Sequence, residues 1–504
     1  MPSLLPMKAE SMLINRLIFG GFAKNGCIII AFMRIPRLLV FILSVIILVG
    51  GGLLYLTSIP RLVEVFPTQG AKSVPVGTPL RLTFSRAMHP DSVQARLSSD
   101  PPRSGSFRWD GNTLIFTPYT PWPSGETVTV RLSGGGRSAS FIPSMISNDQ
   151  TWIFTVEQPL LLYLYPSDGP ADIYAIKPLS KEVERLTQTP FGVLDFSTSS
   201  DGTSIYFSQR NATGGSDIMR LERLSGTDAS SSIHLLLSCP QAYCRSPQIS
   251  PDGSILAFER DPLAGTSQEL LSQVWLISIP TDQEHSASLS NGYPAGAPSH
   301  PTSLPTWSST GFLAYYDSNQ RAFIILDPKS GETIEFPNET GEAGAWTPDG
   351  TAFIAPEISL VPADSTDQQG STDSLATSKL VRYDLRTNSS QTISQGIYLE
   401  DSWPTFSPDG DTMAFARRFL DAAHWTPGRQ IWLMDPNGNH ARGLTQAPFF
   451  NHANLSWNPN GGQLAYIRFN QETLTDPPEL WIINNDGNTP IKLVTGGYDP
   501  LWIP

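Results

Sequence analysis

The 504-residue chain is long enough for about three domains at ~150 residues each, and its 16% charged residues, 44 prolines and 40 glycines describe a turn-rich globular protein. Aromatic residues at 10% argue for a packed β-rich core and against disorder. A formal charge of −13 excludes a phosphate-neutralising nucleic-acid surface, and three cysteines exclude a disulfide-stapled mini-fold and a cysteine-rich zinc module.

Leu38 to Leu56 is an uncharged apolar run broken only by Ser44 and three glycines. As a helix it spans close to the ~30 Å of a bilayer core. Arg34 and Arg37 stand just before it, so residues 1–37 are expected in the cytoplasm, 38–56 as a single-pass signal anchor, and everything after residue 57 outside the membrane. The rival reading is a cleaved signal peptide, but the run is too long for an h-region and Leu56-Thr-Ser-Ile-Pro offers no A-x-A site. Met33-Arg-Ile-Pro-Arg makes a tidier start than Met1 and is an alternative initiator.

Residues 61–157 alternate short β-rich runs with turn clusters, the pattern of a sandwich. Leu80-Arg-Leu-Thr-Phe places apolar side chains on one face at period two, and Trp109-Asp-Gly-Asn-Thr-Leu-Ile-Phe reads as a hairpin. Four motifs in order (Phe66-Pro-Thr-Gln-Gly-Ala, Thr83-Phe-Ser-Arg-Ala-Met-His-Pro, Asn112-Thr-Leu-Ile-Phe-Thr-Pro and Trp152-Ile-Phe-Thr) resemble the bacterial Ig-like domain of surface-layer and envelope proteins. The resemblance implies a spacer or adhesion module.

Beyond residue 160 the chain repeats. An apolar strand, a Pro-Asp-Gly type turn and a second apolar strand recur six times, with turn glycines at Gly202, Gly253, Gly311, Gly350, Gly410 and Gly461. Third strands such as Val274-Trp-Leu-Ile and Leu480-Trp-Ile-Ile follow, and fourth strands such as Ile491-Lys-Leu-Val complete units of four, the size of a propeller blade. Residues 160–188 supply three strands without a first, and Tyr498-Asp-Pro-Leu-Trp-Ile supplies a first without its successors. The tail is therefore expected to complete the opening blade and remove the open sheet edges. The repeats resemble the TolB-like and WD40-like (PD40) propellers, whose TolB members have six blades. The count here gives an all-β chain with an N-terminal transmembrane helix, an Ig-like sandwich and, over residues 160–504, a seven-bladed, alternatively six-bladed, propeller. Residues 281–306, 358–379 and 417–429 read as irregular insertions.

Catalytic motifs are not found. There is no G-x-S-x-G elbow and no H-E-x-x-H. His89, His234, His285, His300, His424, His440 and His452 are scattered without metal-ligand spacing. In Ser-Pro-Asp-Gly the Asp caps a turn and the Gly takes positive φ, a structural role unlike a sialidase Asp box. Glu400 and Asp401, adjacent on a strand, face opposite ways and do not form an acid–base pair. Asp486-Gly487-Asn488 reads as a hairpin turn before a calcium loop. Cys239 and Cys244 are close enough for a disulfide, with free thiols as the alternative. Neither a cofactor nor a metal is expected.

The connections into the first strand of each blade carry aromatics: Phe191, Tyr243, Tyr293, Tyr398, Phe449, Phe450 and Tyr498. Aromatics on rigidly held loops make contact anchors. Two function classes follow. The first is a membrane-anchored, non-catalytic binding or scaffold protein of the bacterial envelope whose propeller face recognises a protein or glycan. The alternative is a propeller enzyme acting on polysaccharide or peptide, which needs Arg, His and carboxylate groups converging on one rim.

Overall fold

The computed structural model describes residues 59–140, 144–223, 232–264, 271–279, 287–362 and 374–504, with Phe41 and Val45 ahead of them. The expected anchor over 38–56 (those two residues apart), the segment 1–37 with Met33, and His285 lie outside the described residues. Among the described residues no helix is long and apolar enough to cross a membrane.

Period-two alternation builds the first module. Leu80, Leu82 and Phe84 point inward from one strand, Leu114 and Phe116 from its neighbour, and Val128, Val130, Trp152 and Phe154 meet them from a second sheet. The first sheet orders Leu62–Phe66, Leu80–Phe84, Thr113–Pro118 and Gly105–Asp110 side by side. The second orders Ala71–Val74, Gln150–Val156, Thr127–Leu132 and Leu97–Asp100. Trp122 closes the core, its indole N–H donating to the Thr78 carbonyl at 2.8 Å.

Among the described residues the remaining strands group four by four, here labelled I to VII. Unit I joins Leu160–Tyr165, Asp172–Lys177 and Glu182–Arg185 to the tail strand Tyr498–Ile503, which pairs antiparallel with Leu160–Tyr165. The first strands of units II to VII are Val193–Thr198, Ala242–Ile249, Thr302–Trp307, Ala345–Trp346, Leu399–Phe406 and Phe450–Trp457. Units II and III, and units V and VI, touch through single parallel bridges, Ser216 to Tyr243 and Ser378 to Glu400.

The second strands show why the units close into a ring. Leu313–Asp317 of unit IV is buried at every residue, as are most positions of its counterparts. A strand with both faces covered serves two cores at once. Leu313 and Tyr315 pack with Val274 and Leu276 of unit III, whereas Ala314 and Tyr316 pack with Phe353 and Tyr383 of unit V. One such cluster lies between each adjacent pair of units, and unit I packs on unit II through Leu162 and Phe207 and on unit VII through Leu161 and Ile467. Fourth strands such as Glu182–Arg185 and Ser389–Thr392 are exposed throughout and form the outer wall. The result is a β-propeller.

Strands within a unit are antiparallel, so their connections alternate between two faces. The turns after the first strands mark the lower face. There the turn glycines all take positive φ, from 66° at Gly350 to 93° at Gly311. The turn Asp accepts a hydrogen bond from the Ser or Thr two residues earlier, at 2.6 Å for Ser199 to Asp201 and 2.7 Å for Ser250 to Asp252. The Ig-like module contacts this lower face. Gly77 lies against Asp201 so closely that an added Cβ sits 2.7 Å from the Asp201 Cβ. Arg223 joins Glu157 at 3.2 Å while also donating to the Gly202 carbonyl at 2.8 Å, and the Asn460 amide reaches the Ser124 carbonyl at 3.5 Å.

All three expected insertions contain strand: residues 293–294 and 302–306 of the first belong to Tyr293–Pro294 and Thr302–Trp307, and residues 417–419 of the third to Met413–Phe419. Residues 358–362 and 374–379 are not irregular: they extend the strands Ala352–Pro362 and Ser374–Asp384 into a long hairpin rising from the upper face. Alternation of Ile358, Leu360 and Pro362 with half-buried neighbours carries the strand outward.

Candidate binding face and channel

The upper face collects the connections into the first strands and those between second and third strands. Phe191, Tyr293 and Phe449 present their rings to solvent at 47%, 49% and 48% exposure. The other four expected anchors are half-buried and already engaged. The Tyr398 hydroxyl donates to the carbonyl of Pro362, the last residue of the strand Ala352–Pro362, 3.2 Å away. Phe450 lies beneath the Arg468 guanidinium at 4.1 Å, and Tyr498 packs into the clusters on either side of unit I. Tyr243 lies within the strand Ala242–Ile249 and bridges to Ser216. Tyr293 is not in a connection: it starts the short fourth strand of unit III and pairs with Leu276.

Further exposed apolar residues join this face from positions the repeat alignment does not single out. Leu271, Trp425 and Leu474 lie between second and third strands, Ile358 and Leu360 on the hairpin, Ile397 before a first strand and Trp403 within one. The Trp403-Pro404 pair seven residues before Gly410 was the available signal, because the same position carries Ser246-Pro247 and Leu304-Pro305 before their own turn glycines.

Arginines and carboxylates do converge on the rim, which the spacing alone did not reveal. Glu400 accepts from Arg418 at 2.5 Å and from Arg429 at 3.2 Å. Asp401 turns the other way and is fully buried, held by both Nε and Nη2 of Arg417 at 2.7 Å. Arg417 in turn stacks on Phe415 at 4.9 Å and Trp432 at 5.2 Å. Both carboxylates are thus committed to arginines as structural partners. His452 is buried, its Nδ1 at 2.8 Å from the Arg429 carbonyl, and burial lowers its pKa to about 4. His300, His424 and His440 each face one aspartate, at 2.7 to 2.8 Å. Among the described residues no group of three or more His, Cys, Asp or Glu is placed to hold a metal ion. Asp486 caps its own turn by accepting from the Asn488 N–H at 2.8 Å. Cys239 and Cys244 are joined as a disulfide.

The first strands line the axis. Five of them carry a register shift at which one residue adopts left-handed backbone: Ser246, Leu304, Trp403, Asn454 and Asp499, with φ between 49° and 57°. Bulges of this kind re-aim side chains, and here they bring the first strands together around a cavity of about 390 Å³. Its lining includes Ser197, Gln248, Trp403, Asn454 and Asp499. Asp195 holds the equivalent position in unit II, its Oδ2 accepting the Ser246 N–H at 2.9 Å. Burial pushes its carboxyl up to about 7, helped by the charges of Asp499 and Glu259. Burial raises Asp499 as well, although the Asn454 amide donates to it.

Residues 57–156 match the family model described as "Bacterial Ig-like domain". Among curated proteins none matches the chain in sequence. Solved structures of similar fold include TolB from Acinetobacter baumannii, 14% identical over 82% of this chain and 84% of that one, with a TM-score of 0.41. A protein from Lactobacillus plantarum is 12% identical over 69% and 99%, with a TM-score of 0.42. Oligogalacturonate lyase from Vibrio parahaemolyticus is 16% identical over 60% and 73%, with a TM-score of 0.36.

Proposed function

We propose that this chain is a membrane-anchored, non-catalytic binding protein of the bacterial cell envelope. A seven-bladed propeller presents its upper face to a protein or glycan partner outside the cytoplasm. The observation that supports this reading is the distribution of exposed apolar side chains. Phe191, Phe449, Trp425, Leu360 and Leu474 gather on the face opposite the one touched by the Ig-like module. Apolar surface concentrated on one face of a rigid scaffold marks a contact site, and aromatic side chains there supply area at low entropic cost. The Ig-like module, seated on the lower face, then acts as a stalk that leaves the upper face free. The apolar run 38–56 supplies the tether.

The test is cross-linking in native membranes followed by mass spectrometry, comparing the wild-type chain with a Phe191→Ala, Trp425→Ala, Phe449→Ala triple variant. The triple variant is expected to recover its partner at least about tenfold less well, given ~1–2 kcal/mol for each aromatic anchor. Unchanged recovery at equal abundance counts against the upper face as the recognition surface.

A further inference from the structure

Carboxylates buried in folded proteins are ordinarily paired with a cation or hydrogen-bonded on both oxygens. The axial cavity departs from that pattern. Asp195 Oδ1 is buried and has no hydrogen-bond partner among the described residues, its other oxygen being held by the Ser246 N–H. Asp499 has the Asn454 amide alone, and neither aspartate forms an ion pair with a described Lys or Arg. A second feature is independent of these acids. Ser197 lines the same cavity at 6% exposure, and its Oγ also lacks a partner. The lining contains no Lys or Arg, and it includes the indole of Trp403.

Negative charge, an unused hydroxyl and an aromatic ring around one cavity describe a receptor for a compact cation. An ammonium group carries three N–H donors and one point charge. It can donate to a carboxylate and a hydroxyl while lying near an indole that favours cations. We propose that the axial cavity binds a primary ammonium group, either a lysine side chain offered by a protein or a free alkylamine. Asp499 of the lining supplies the countercharge, reinforced by Asp195, which lies outside the lining two residues before Ser197; Ser197 Oγ accepts an N–H, and Trp403 flanks the cation. An arriving ammonium also offsets the repulsion that Asp499 and Glu259 exert on Asp195, which Arg245 counters only in part. Apart from Trp403, the site shares no residue with the exposed apolar side chains of the upper face. Amine binding is read on the chain alone, with no partner present, so failure of the rim reading leaves this measurement untouched.

The experiment titrates the full-length chain by calorimetry at about 0.15 M salt. The probes are cadaverine, its uncharged counterpart pentanediol, and a capped Gly-Lys-Gly peptide with and without acetylation of the lysine. Binding of cadaverine or the unmodified peptide, with no binding of pentanediol or the acetylated peptide, supports the site. The tighter of the two active probes then identifies the source of the amine. Asp195→Asn and Asp499→Asn are each expected to weaken binding by about tenfold or more, and Trp403→Leu by a few-fold. Melting curves of the same variants report folding, and the two Asn variants are expected to melt no lower than wild type. The proposal is overturned if neither amine binds at millimolar concentration, or if pentanediol binds as well as cadaverine. It is equally overturned if calcium chloride binds there while amines do not, or if amine affinity survives in the Asp195→Asn, Asp499→Asn double variant.

Discussion

Asp252 and Asp195 show how one residue type is driven in opposite directions. At the Pro-Asp-Gly turn, hydroxyls of Ser254 and Ser250 hold the Asp252 carboxyl down at about 2. In the first strand of unit II, burial pushes Asp195 up to about 7. A carboxyl whose folded pKa exceeds its unfolded value contributes stability that is complete below about pH 4 and lost as pH rises through about 7. Wild-type protein should therefore lose a few kcal/mol between these limits that Asp195→Asn keeps, seen as the difference between urea denaturation curves of the two proteins at each pH. His452, depressed to about 4, tilts stability the other way over much of that window, but it is present in both proteins and cancels in the comparison. The turn aspartates were legible in the sequence because the whole motif fits within a few residues. The state of Asp195 was not, because its surroundings come from Ser246, fifty-one positions later, and from Asp499 in another unit.

The closing strand carries the most weight among the elements. Tyr498–Ile503 buries Trp502 and Ile503 and covers an edge of Leu160–Tyr165 that otherwise stands open. At ~1.5–3 kcal/mol for each large apolar side chain, removing residues 498–504 should cost about 5 kcal/mol or more once the lost strand pairing is added. Thermal melting of the truncated chain checks this, with a large drop expected. The strand was readable in advance because Tyr-Asp-Pro-Leu-Trp-Ile copies the start of the other repeats. The long hairpin was not, because the polar stretch from Asp364 to Ser374 obscures the alternation of Ile358, Leu360 and Pro362 on its flank. The exposed aromatics were half legible. Their place in the repeat put them on one face, but which rings stay free depends on partners such as Arg468 and the Pro362 carbonyl, which arrive from other strands.

At the scale of the whole molecule, the two modules meet through shape more than charge. Burial raises the Glu157 carboxyl despite the neighbouring Arg223, so that ion pair contributes little net stability. Gly77 against Asp201 is the tighter constraint, with 2.7 Å between an added Cβ and the Asp201 Cβ. Gly77→Leu is expected to wedge the Ig-like module off the lower face, and small-angle scattering should register the change as a larger maximum dimension. An unaltered scattering profile would show that this contact does not set the relative placement of the modules. The interface was invisible in the sequence, since a glycine in Val74-Pro-Val-Gly-Thr reads as an ordinary turn.

The ring's seam also has a bearing on time. Leu160–Tyr165 comes first among the propeller strands, and the segment that covers its bare edge comes after all the others. Such distant pairing makes folding slow and leaves the early strand open to competing chains while the later sheets form. Until that last segment arrives, the edge of Leu160–Tyr165 is the place where a foreign strand can add, so refolding yield should fall as protein concentration rises.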